Sequence, residues 1–188
     1  VEVCAKIIST NCIRDKLRGI DYDSCVHSPL GDNITLQFDN GAMQVCRKLL
    51  VWNSPYFASI FRSDEILEKI EFEIEGVMIE DLAKLIHVIS PSERPVHVDS
   101  STILTLARRF QVERAFEVVE QFLMNTKTVK PAKKMLLAEQ YQMKSLAKHL
   151  ISSFKTSKQI KDLEGEDEFD ELSISLKSAI LTKILELI

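Results

Sequence analysis

The apolar residues of this chain mix alternating and helical spacing over its first half and keep helical spacing alone from Asp99 onward, and that division sets the class of fold. Ile34, Leu36 and Phe38 alternate with Thr35 and Gln37, Asp39-Asn40-Gly41 interrupts, and Ala42-Met43-Gln44-Val45 follows. Asn-Gly between two alternating runs predicts a β-hairpin, because both residues tolerate positive φ at little cost. Residues 1 to 9 also alternate, Val1, Val3, Ala5 and Ile7 against Glu2, Cys4 and Lys6, and read as a strand with no hairpin partner nearby. Glu71-Phe72-Glu73-Ile74-Glu75 reads as a further strand with one buried face, ended by Gly76.

Helical spacing takes over elsewhere. Ser54-Pro55 is a helix start, a hydroxyl cap followed by a residue with pre-set φ, and Tyr56, Phe57, Ile60 and Phe61 form its apolar stripe. Asp81 to Ile89 reads as a short helix stopped by Ser90-Pro91. Between the first strand and the hairpin, Ile13, Leu17 and Ile20 line one helical face before Ser28-Pro29-Leu30-Gly31 breaks the chain. From Asp99 onward every signal is helical. The faces are Ile103, Leu104, Ala107 and Phe110; Phe116, Val119, Phe122 and Leu123; Met135 to Leu137 after Pro131; Leu146, Leu150 and Phe154; and Leu172, Leu176, Ala179, Ile180, Ile184 and Leu187. Strands followed by a long run of helices predict an α+β chain, a small sheet flanked by helices with an all-helical annex from about Lys130.

Composition narrows the chemistry. The five glycines of the 188 residues lie at least ten residues apart, so no G-x-G-x-x-G phosphate cradle and no G-x-S-x-G elbow can be built. A net charge of −4 and a pI near 5.6 argue against a nucleic-acid-binding domain. The densest basic stretch, Lys127, Lys130, Lys133 and Lys134, and the acidic stretch from Asp162 to Glu171 are both read as solvated surface. No run of 18 apolar residues is present, so no membrane span is expected. Cys4, Cys12, Cys25 and Cys46 crowd into the first quarter. That distribution suits reduced thiols in the cytoplasm or nucleus better than a disulfide framework. The chain opens Val1-Glu2-Val3 without Met and reads as an excised fragment.

No catalytic constellation declares itself. Cys25 and His27 form a lone C-x-H without a second ligand pair. His87 lies within an amphipathic helical run and reads as a structural histidine, His149 as one on the wet edge of a helix. An enzyme would need a group such as His87, Asp81 and a serine to converge in a cleft, and neither metal nor cofactor is expected. Trp52 and Tyr141 read as core or interface aromatics. The segment from Phe61 to Lys69 admits two readings: Ile66 and Leu67 cap the edge of the core, or they form an exposed apolar anchor beside a carboxylate.

In this order the elements resemble the BTB/POZ domain. The resemblance is carried by Asp32-Asn33-Ile34-Thr35-Leu36, Cys46-Arg47-Lys48-Leu49-Leu50, Ser54-Pro55-Tyr56-Phe57, the strand Phe72-Glu73-Ile74, and Leu104 to Val112, which is similar to the family's L-x-L-A-x-x-F/Y segment. It covers about residues 32 to 125. Residues 1 to 31 resemble the close of a MATH domain plus a linker, and residues 126 to 188 resemble the 3-box or BACK helices that follow BTB domains in ubiquitin-ligase adaptors. The resemblance implies a non-catalytic adaptor that homodimerises, binds cullin-3, and meets its substrate protein through a region outside this chain. The cullin-docking residues it implies are Phe61, Ile66, Leu67 and Glu68, the last three matching an apolar-x-Glu motif. The dimer seam it implies involves Leu17, Ile20, Ile34 and Leu49. A BTB scaffold without ligase function, for example in transcription, is the alternative. The sequence departs from the family at Cys46-Arg47, where His-Lys/Arg is common, at Ser90-Pro91-Ser92, and at Val51-Trp52, where small residues are usual.

Overall fold

The computed structural model describes residues 5–7, 32–61, 71–90 and 99–186. They divide into two compact units, Val1–Val118 and Val119–Ile188. The first contains a four-stranded sheet built from β1 (Ala5–Ile7), β2 (Asn33–Phe38), β3 (Gly41–Cys46) and β4 (Glu71–Glu73), in the spatial order β1-β3-β2-β4. The hairpin is present, with Phe38 opposite Gly41 and Ile34 opposite Val45. Its turn differs from the expectation. Asp39 and Asn40 form the bend, and only Gly41, at φ 142°, has positive φ. Asn40 instead turns its side chain to a helix. Its Oδ1 accepts from the Ile79 backbone amide at 3.3 Å and its Nδ2 donates to Glu80 at 3.0 Å. The turn thereby caps a helix remote in sequence whose own N-cap, Met78, offers no side-chain bond.

Residues 5–7 also acquire a partner, pairing antiparallel with β3 from Ala5 opposite Val45 to Ile7 opposite Met43. β4 pairs parallel with β2. That geometry needs a crossover connection, and helices lie within it here. β2 is thus flanked on both sides. Its buried residues include Thr35 as well as Ile34, Leu36 and Phe38.

The helices of this unit begin with α1 (Arg47–Asn53), α2 (Pro55–Phe61), α3 (Ile79–Ile89) and α4 (Ser100–Arg109). Leu49 and Leu50 of α1, Phe57 and Phe61 of α2, Ile79, Leu82, Leu85 and Ile86 of α3, and Ile103 and Leu104 of α4 are buried. Asp99 caps α4, accepting from Ser101. Helix α5 (Glu113–Asn125) follows and carries the boundary between the two units.

The second unit continues with α6 (Pro131–Gln140), α7 (Lys144–Ser153), α8 (Ser157–Glu164), a 3-10 turn at Asp167–Phe169, and α9 (Ile174–Glu186). A turn at its start repeats one in the first unit. Leu106-Ala107 precedes Phe110-Gln111-Val112 as Leu137-Ala138 precedes Tyr141-Gln142-Met143. In each, the glutamine takes left-handed φ, 54° at Gln111 and 57° at Gln142. The amides of Val112 and Met143 reach back to the Ala107 and Ala138 carbonyls at 2.8 and 2.7 Å. Both are Schellman turns, which satisfy the last carbonyls of one helix and launch the next.

Helix starts in this unit borrow their caps from other elements. Glu166 accepts from Ala132 at the start of α6, Glu120 from Leu146 at the start of α7, and Glu139 from Ser173 just before α9. The acidic stretch is therefore not purely solvated: Glu166 is committed to a helix terminus, where a carboxylate satisfies orphan amides and meets the positive end of the dipole.

The basic stretch also departs from expectation. Lys134 is buried, and its Nζ donates to the Thr126 carbonyl beyond the end of α5. Burial lowers its pKa below the ordinary 10.5. The sign follows from linkage. The unfolded chain holds that proton more tightly, so folding releases it as pH rises from the lowered folded value toward 10.5, and stability increases over that window. Denaturation followed as pH rises toward 10.5 is expected to show a stability gain in the native chain that K134M lacks. Equal slopes for the two proteins would refute the assignment.

Candidate interaction surface

Among the described residues of the first unit, a candidate partner surface is built on the turn from α1 into α2. Ser54 lies between them, 1% exposed, and its hydroxyl bonds in two directions. Its Oγ accepts from the Phe57 amide at 3.1 Å, capping α2, and donates to the Phe110 carbonyl after α4. This hydroxyl ties two helices that are remote in sequence. An aromatic cluster stacks beneath: Phe57 lies 5.0 Å from Phe110 and 5.7 Å from Phe61 between ring centroids, and Phe61 meets Phe72 of β4 edge-on at 5.5 Å. Arg109 completes the frame, donating to the Glu75 carbonyl at 2.7 Å across the turn where Gly76 takes φ 65°.

Above this base the surface is apolar and open. Trp52 is 71% exposed, so it is no core aromatic. The reason is helical phase: Leu49 and Leu50 fall on the buried side, and Trp52 on the outer side of the same short helix. With Val51, Pro55, Ala58 and Ser59 it lines a groove of about 500 Å³. The bulky residue where the family usually has a small one thus builds a wall of this groove.

The residues expected to form functional sites fall in three places. Phe61 is buried within the aromatic cluster, 3% exposed, at the last position of α2. Ile34 and Leu49 are buried in the core of the single chain. Ile66, Leu67, Glu68, Leu17 and Ile20 lie outside the described residues, as do Cys25 and His27. Of the remaining candidates, His87 is buried on α3, His149 is exposed on α7, and Cys46 is a buried free thiol. Among the described residues no three His, Cys, Asp or Glu side chains cluster in a way that could hold a metal ion, and no helix is long and apolar enough to cross a membrane. Sequence reasoning missed the second bond of Ser54. The helix-start motif was visible, but its partner lies 56 residues away.

Comparison with known proteins agrees with this architecture. A profile of the BTB/POZ domain matches residues 31–127. The chain is 27% identical over 198 aligned positions to BTB and MATH domain-containing protein 38 of Caenorhabditis elegans, covering 96% of this chain and 51% of the relative. It is 31% identical over 168 positions to the BTB/POZ domain-containing protein Y57A10B.3 of the same organism, covering 86% and 52%. It is 24% identical over 149 positions to BTB and MATH domain-containing protein 39 of Caenorhabditis briggsae, covering 79% and 42%. The chain thus spans about half the length of the relatives it matches. The hairpin, the α1–α2 pair, the short parallel strand and the helices through α5 all fall within the matched span, and the chain belongs to the BTB/POZ family of protein–protein interaction domains.

Proposed function

We propose that this chain is a non-catalytic substrate adaptor for a cullin-3-type ubiquitin ligase, active as a homodimer in the cytoplasm or nucleus. The observation that carries this reading is the BTB match over residues 31–127, joined to relatives whose names couple BTB with MATH domains. The substrate protein is bound by a region outside these 188 residues. Residues 1–31 are the close of a preceding MATH domain with its linker, and the helices after Asn125 serve as a 3-box or BACK-like extension. Ile66, Leu67 and Glu68 dock the cullin through the apolar-x-Glu motif, together with Phe61, which ends α2 and is buried against Phe57 and Phe72. Glu68→Lys is expected to weaken binding to cullin-3 by about tenfold or more, since reversing a charge at a docking centre adds repulsion to the lost contact. Pull-down and titration calorimetry with purified cullin-3 measure it, and circular dichroism should show an unchanged fold. A variant that binds as tightly as the native chain would sink the docking assignment.

The alternative, a BTB scaffold that self-associates without ligase function, draws support from exposed Trp52 and its groove on α1. Aromatic anchors beside pockets are the usual centres of binding energy. The dimer seam of this reading involves Leu17, Ile20, Ile34 and Leu49, of which Ile34 and Leu49 are buried within the single chain. A tight dimer in light scattering, together with no binding of cullin-3 by the native chain, would favour this reading.

A further inference from the structure

No further inference is drawn: the strongest candidate, the groove beside Trp52 on the turn from α1 into α2, belongs to the self-association reading already given, and nothing in the structure shows what else covers it.

Discussion

Phe57→Ala is expected to cost about 3–5 kcal/mol, the range for truncating a buried phenylalanine. A domain of this size has a total stability of about 5–15 kcal/mol, so the loss is about a fifth of it or more. The large value follows from position. Phe57 is 1% exposed and stacks against Phe61 and Phe110, with Tyr56 edge-on at 5.2 Å, so its removal strips partners from three rings at once. The cluster joins α2 to the residue after α4, and little can collapse into the space without parting those helices. Urea denaturation followed by circular dichroism should show a midpoint lowered by about 2 M for the transition of the first unit. Phe57→Leu, which conserves more volume, should cost well under half as much. A loss below about 1 kcal/mol for the alanine variant would mean that the aromatic stack does not hold this unit together.

Ser54→Ala should cost about 2–3 kcal/mol, in two parts. One part is the lost helix cap, typically about 1 kcal/mol. The other is the Phe110 carbonyl, left in a buried place without its donor, at about 1–3 kcal/mol. Ser54→Gly separates the two. Glycine is nearly as good as serine at an N-cap position, so the glycine variant keeps most of the cap and loses only the tie to Phe110. The glycine variant is therefore expected to lie between native and alanine in chemical denaturation. If it matched the native chain, the tie to Phe110 would contribute nothing.

The secondary structure was largely legible because local rules dominate it. The hairpin, the Ser54-Pro55 start, the Pro131 start and the helical run after Asp99 all rest on spacing, caps and turn residues within a few positions. Where the reading missed, a contact between remote residues had intervened. The bend formed at Asp39-Asn40 with Asn40 capping α3. Lys134 left the solvated run because α5 ends beside it. Glu166 left the acidic surface because α6 needed a cap. For Trp52, readable as a core or an interface aromatic, the phase of α1 excludes the core and leaves the interface reading. The docking and seam residues were legible only through likeness to a family. An apolar-x-Glu triplet has no periodicity of its own, and its meaning lies in the partner it meets.

By itself the sequence determined the class of fold, because the switch from alternating to helical spacing leaves few ways to bury both patterns. It also determined that neither a G-x-G-x-x-G nor a G-x-S-x-G motif is present, because its glycines lie at least ten residues apart. Only the tertiary structure decided which charged residues are buried and which apolar ones are left over. Burial is a property of neighbours: Lys134 and Ile174 differ in fate because of what packs beside each, and no local pattern carries that information.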